Sequence, residues 1–197
     1  MSNFEVEWLH KALAGDEDAY SNIVEAFQRP VYNLCYRMLG DPLEAEDAAQ
    51  ETFWRAYQAL HHYDQKRPFP TWLLSIAAHY CIDQQRKRRM PILSIELLPE
   101  EDAPDSAPSP EKVVSELEES SQMRRLLSKL GPQDRAAVIL RYWYEFSEEE
   151  IARSLSLTVS AVKSRLHRAR RELAQNWQEA QVANAIPERR KNESPAL

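Results

Sequence analysis

The densest set of hydrogen-bond donors in this 197-residue chain lies at 160–171, where Ser160, Lys163, Ser164, Arg165, His167, Arg168, Arg170 and Arg171 interleave with apolar residues. Lysine and arginine donate to phosphate oxygens, arginine also forks onto guanine edges, and serine or histidine can reach either. Chemistry of this kind grips nucleic acid and breaks no bond. A solvated basic face is the ordinary meaning of a charge run, but a single acid, Glu172, tempers the five cations of 163–172.

A second basic set joins the loop HHYDQKRPFPT at 61–71 to the run Arg86, Lys87, Arg88 and Arg89. Aromatic rings suit a splayed base, and flanking cations suit its phosphate. Part of the run fits the end of a helix, whose dipole favours cations, yet four in succession exceed what capping requires. A third set, Asp47, Gln50, Glu51 and Trp54, has spacings of 0, 3, 4 and 7, which puts a tryptophan among carboxylates on one helix face. Either Trp54 is core or this face docks a protein. Asp16, Asp18, Glu44, Glu46 and Asp47 offer carboxylates to a divalent metal, as in a nuclease. No histidine joins them at ligand spacing, so they read as helix-start and surface acids. No metal, cofactor, small-molecule substrate or catalytic residue is expected.

Presenting the first set requires a helix-turn-helix over 147–173, SEEEIARSLSLTVSAVKSRLHRARREL. Ser147 and Glu150 have capping-box spacing. Ile151, Ala152 and Leu155 form one apolar stripe; Thr158 caps a second helix whose Val159, Val162, Leu166, Ala169 and Leu173 continue it. The cations then fall largely off the stripe, as major-groove reading needs.

Upstream, a short helix around Trp8, Leu9, Ala12 and Leu13 ends at Gly15. The next run, from about Ala19, turns Ile23, Phe27, Val31, Leu34, Cys35 and Met38 inward, and Pro30 is expected to kink or divide it. Gly40 closes that run and Asp41 with Pro42 opens another, which buries Ala45, Ala49, Thr52, Phe53, Ala56 and Leu60. A helix carrying Trp72, Leu73, Ile76, Ala77 and Ile82 leads into the basic run. Residues 91–110 hold five prolines around the acidic stretch PEEDAPD, a linker without a core of its own. Val113, Leu117, Met123, Leu126, Leu127 and Leu130 begin a second unit, and past Trp177 the periodicity fades. The expected fold is all-α. Its parts are a small helical domain at 1–90, a flexible acidic proline-rich linker at 91–112, a second small helical domain at 113–177 and a loose tail at 178–197.

The net charge of −6 conceals a pattern. Residues 1–60 carry 4 cations and 11 acids, 61–90 carry 6 and 2, 91–121 carry 1 and 9, and 122–177 carry 11 and 6. Two basic blocks alternate with two acidic ones, as in a protein that touches DNA twice and something else with its acidic parts. No apolar run approaches the roughly 20 residues that span a bilayer, and MSNFEVEWLH lacks a cationic-then-apolar signal, so a cytoplasmic location is expected. Cys35 and Cys81 lie in apolar helical stretches without metal spacing and are expected to be buried, reduced thiols.

Three motifs in order, LCYRMLGDPLEAEDAAQETFWRAYQAL, PTWLLSIAAHYCIDQQRKRR and VKSRLHRARREL after an acidic linker, resemble a bacterial RNA polymerase sigma factor of the sigma-70 family. More narrowly, residues 15–177 resemble the two-domain group IV, or extracytoplasmic function (ECF), class. The resemblance implies that 41–60 dock on the β′ clamp helices of core polymerase, with Asp47, Gln50, Glu51 and Trp54 as the contact face. It implies that a loop carrying Lys66, Arg67 and Phe69 and a helix face of His79, Asp83, Arg86 and Lys87 read and help melt the minus-ten element. Ser160, Lys163, Ser164, Arg165, His167, Arg168 and Arg171 are then the minus-thirty-five contacts. Further implied partners are the β flap, promoter DNA and an anti-sigma factor, with the acidic linker threading toward the active centre of the polymerase.

Two positions depart from the family pattern. His79 replaces the asparagine of I-A-x-N, and TVSAV replaces P-V-G-T-V at the recognition helix, so promoter bases are not carried over. The rival reading is a conventional helix-turn-helix regulator acting without polymerase. It leaves the second basic block and the Trp54 face without a use.

Overall fold

The computed structural model describes residues 3–89 and 112–189, and the linker expected at 91–112 falls outside them except for Lys112. The described residues form eight α-helices and no strand. The first four are α1 (Asn3–Leu13), α2 (Glu17–Leu39), α3 (Pro42–Ala59) and α4 (Phe69–Arg89), with a single 3₁₀ turn at Leu60–His62 between α3 and α4. Beyond the linker come α5 (Lys112–Lys129), α6 (Pro132–Trp143), α7 (Glu148–Ser154) and α8 (Val159–Arg189).

Local chemistry sets the helix ends. Asp16 accepts from the Ala19 amide at 2.9 Å and Asp41 from the Glu44 amide at 2.9 Å, each satisfying a donor that the first helical turn leaves open. Gly40 ends α2 in the left-handed region, φ 87°, and its N–H donates to the Tyr36 carbonyl at 2.9 Å. At α7 both halves of the capping box form: the Glu150 amide donates to Ser147 Oγ at 3.1 Å, and the Ser147 amide donates to Glu150 Oε2 at 2.8 Å. Ser147→Ala is expected to cost about 1 kcal/mol, read as a lower urea midpoint with an unchanged slope. Thr158 Oγ1 accepts from the Ala161 amide at 3.1 Å and starts α8.

Two expectations change. Pro30 does not divide α2, which runs unbroken from Glu17 to Leu39. Nor do residues 178–189 form a loose tail, since α8 continues to Arg189. Gln, Glu and Ala propagate a helix well even where apolar periodicity is lost.

In the first bundle α2 packs on α1, α3 and α4, and α3 packs on α4. Ala45, Ala48 and Ala56 are fully buried, and their small side chains allow α3 a close approach. Cys35 and Cys81 are free and buried. A hydrogen bond with Cys35, reinforced by burial, holds the Cys81 thiol far above the ordinary thiol range, so it stays protonated and inert.

The second bundle, α5 to α8, rests against the first: α6 packs on α2 and α4, α7 on α4 and α5 on α2. The apolar core is continuous across both. Polar contacts fasten the junction. Arg135 Nη1 donates to the Met38 carbonyl at 2.5 Å, and Gln85 Nε2 donates to the same oxygen. Tyr144 Oη donates to the Pro30 carbonyl at 2.6 Å. Arg124 lies over the Tyr36 ring at 5.1 Å and Arg37 over the Trp143 ring at 5.2 Å.

Candidate polymerase and nucleic-acid interfaces

On α3, Ala45, Ala48, Ala49, Thr52, Phe53 and Ala56 are buried, which leaves Asp47, Gln50 and Trp54 outward and Glu51 at the margin. Trp54 is 58% exposed, so its alternative as a core residue is closed. Its ring stacks on Tyr57 at 6.4 Å, and Tyr57 leans on Tyr20 of α2 at 4.9 Å. An open groove of about 910 Å³ runs beside them between α2 and α3, with Tyr20, Val24, Phe53, Trp54 and Tyr57 in its wall. Glu51 is held by Arg55 at 2.7 Å within the same helix. The apolar half of this face, contributed by α2, was invisible in sequence because Tyr20 and Val24 lie on a different helix and meet α3 only through packing.

The minus-ten candidates separate into two groups. His79, Asp83, Arg86 and Lys87 are all exposed along one side of α4, opposite the buried Ala77, Ala78, Cys81 and Ile82. Asp83 and Arg86 approach at 3.8 Å, an exposed pair of little energetic weight. Arg88 pairs instead with Glu44 of α3, which takes it out of the basic run and gives Glu44 a structural use. In the loop, Lys66 is exposed, but Arg67 is half-buried, with Nε and Nη2 covered and without hydrogen-bond partners. Phe69 corrects the sequence reading. It opens α4 rather than tipping the loop, is 1% exposed, and packs on Phe27, Tyr63 and Trp72 at 5.5–5.6 Å between ring centres. Such a ring plugs the end of the bundle and is out of reach of a splayed base.

On α8, Val162, Leu166 and Ala169 are buried while Ser160, Lys163, Ser164, His167, Arg168 and Arg171 are exposed, so one face packs and the other is free for a groove. Arg165 is the exception. Its side chain is 25% exposed and Nη1 donates to Asp134 Oδ1 at 2.7 Å, tying α8 to the first turn of α6. It is therefore a strut of the second bundle and not a free DNA contact. Arg168→Ala is expected to lower the salt slope of minus-thirty-five duplex binding by about 0.9, whereas Arg165→Ala should leave the slope in place and lower the thermal midpoint. Equal slope losses in the two variants would return Arg165 to the phosphate contacts.

No helix among the described residues is long and apolar enough to cross a membrane. Of the carboxylates considered for a metal, Asp16 caps α2 and Glu44 pairs with Arg88.

Comparison with known proteins matches this layout. The Sigma-70 region 2 family model covers residues 23–90, and the Sigma-70, region 4 model covers 120–173. Over 166 residues the chain is 39% identical to the ECF RNA polymerase sigma factor SigW of Bacillus subtilis (strain 168), spanning 81% of this chain and 89% of that protein. It is 34% identical over 164 residues to the ECF RNA polymerase sigma factor SigE of Mycolicibacterium smegmatis, spanning 81% of this chain and 63% of that protein. Two solved structures share the fold. CnrH in complex with the cytosolic domain of CnrY has a TM-score of 0.67 at 24% identity, covering 90% of this chain and 99% of its own. The sigma factor RpoE in complex with the anti-sigma factor NepR from Bartonella quintana has 0.61 at 21% identity, covering 81% and 96%. With both region models in chain order and relatives of this identity along most of its length, the chain belongs to the ECF RNA polymerase sigma factors of the sigma-70 family.

Proposed function

We propose that this chain is an alternative sigma factor that docks on core RNA polymerase through α3, reads and helps melt the minus-ten element with α4, and reads the minus-thirty-five element as duplex with α8. The observation that carries the reading is three outward faces of complementary chemistry on three helices. One is acidic and aromatic (Asp47, Gln50, Glu51, Trp54), and two are basic (His79, Asp83, Arg86 and Lys87 on α4; Ser160, Lys163, Ser164, His167, Arg168 and Arg171 on α8). Acids around a tryptophan suit a basic protein partner such as the β′ clamp helices, while cations on α8 suit phosphates and guanine edges. The β flap is the polymerase partner proposed for the second bundle.

The domain division at 1–90 and 113–177 is supported by the region matches at 23–90 and 120–173. The factor works by binding, in the cytoplasm, and the polymerase carries out the bond-forming step. An anti-sigma factor is the proposed regulator, on the ground that the structural neighbour RpoE is a sigma factor bound to the anti-sigma factor NepR. A conventional regulator would need no acidic aromatic face on α3. Adding the chain to purified core polymerase decides between them: promoter-specific transcripts support the sigma reading, and operator binding indifferent to polymerase supports the regulator.

A further inference from the structure

The faces proposed for polymerase and for the minus-ten element lie on neighbouring helices, and one side chain reaches from the first helix to the second. Arg55 belongs to α3, where its Nε donates to Glu51 Oε1 at 2.7 Å, one turn back along the helix. Its guanidinium also crosses to α4, which packs on α3, and lies over the Tyr80 ring at 4.8 Å. Each end of this bridge adjoins a binding face. Glu51 stands three residues before Trp54 on the margin of the acidic aromatic face, while Tyr80 stands three residues before Asp83 and seven before Lys87 on α4, spacings that share one helix side.

The two holds on Arg55 respond differently to a partner. The side chains of Arg55 and Glu51 are 48% and 36% exposed, so water screens the pair, and it shifts an equilibrium by about fivefold at most. A competing cation can displace it. The attraction between guanidinium and ring is of similar weight, but Tyr80 is half-buried on the other helix and a protein docking on the outer side of α3 leaves it in place. A basic partner offers Glu51 a new cation. Arg55 then keeps only the ring, and a guanidinium freed of its carboxylate turns its fork of donors to a phosphate.

We propose that Arg55 is a DNA contact controlled by the docking face: Glu51 holds it back in the free chain, and a basic protein partner that engages Glu51 releases it, over Tyr80, to a phosphate of the strand lying along α4. The release rests on the docking proposed above for α3; the restraint by Glu51 does not. Because one carboxylate serves both, the coupling is reciprocal, and DNA on Arg55 leaves Glu51 open to the partner.

Binding of labelled oligothymidylate to the full chain over a salt series tests the restraint, since a phosphate contact needs no base sequence. Glu51→Gln keeps the shape of the side chain and should tighten binding at low salt by up to about fivefold, with a salt slope steeper by about 0.7, the share of one further single-strand phosphate. The same substitution in an Arg55→Gln background should leave the slope where it was. Glu46→Gln removes an equal charge from the α2 side of α3, and it too should leave the slope in place. An unchanged slope in Glu51→Gln overturns the restraint. An equal steepening in Glu46→Gln, or in Glu51→Gln without Arg55, also overturns it, because lost repulsion by an acid then accounts for the gain. With core polymerase, Arg55→Gln should raise affinity about twofold by leaving Glu51 free. Core affinity indifferent to both Arg55→Gln and Glu51→Gln, alongside the steeper slope, would keep the restraint and overturn its release by docking.

Discussion

Trp54→Ala is expected to weaken binding to core RNA polymerase roughly 30-fold, the consequence of losing about 2 kcal/mol at an aromatic anchor. The side chain is 58% exposed and borders the groove between α2 and α3, so its removal takes little from the core of the first bundle. Thermal stability should stay within about 0.5 kcal/mol of the parent chain. That separation of effects makes the measurement decisive: the labelled chain is titrated with core polymerase while its unfolding is followed in parallel. Undiminished affinity places the docking face elsewhere. Glu51→Ala should act differently, because Glu51 is already held by Arg55 at 2.7 Å on an exposed helix surface. Its loss should appear mainly in the association rate and its salt dependence.

Phe69→Ala should destabilise the first bundle by about 3–5 kcal/mol, the cost of removing a buried ring from a core that cannot fully collapse. Phe27, Tyr63 and Trp72 all contact that ring, and Trp72 itself leans on Tyr63 at 5.0 Å, so one truncation loosens a four-ring cluster. The expected result is a large fall in the urea midpoint, with any loss of promoter opening following from it. Lys66→Ala at the exposed loop should do the reverse, leaving the midpoint alone and weakening salt-dependent DNA binding. A Phe69→Ala chain that keeps its midpoint yet fails to open promoters would mean that the ring leaves the core to capture a base.

The contrast between these two aromatic residues shows where sequence reasoning reaches its limit. Trp54 and Phe69 both lie close to charged residues in the chain, and the family resemblance implies a binding role for both. One lies on the outer side of α3, and the other turns inward at the first residue of α4, where three rings from α2, the loop and α4 close around it. Arg165 and Arg168 differ in the same way. Both belong to one basic run, but Asp134, 31 residues earlier, claims Arg165 alone.

What the chain determined locally was the all-α class, the helix starts at Asp16, Asp41, Ser147 and Thr158, the stop at Gly40, and the inward and outward sides of α3, α4 and α8. Each depends on residues within about one turn of each other, where spacing and hydrogen-bonding chemistry act directly. Only the tertiary structure decided which cations are free, which aromatics are core, that α2 supplies half of the groove beside Trp54, and that the two bundles meet. Those outcomes join groups far apart in the chain, such as Met38 with Gln85, 47 residues away, and with Arg135, 97 residues away. A buried carbonyl at a helix end needs a donor, but its sequence carries no sign of which distant side chain will arrive.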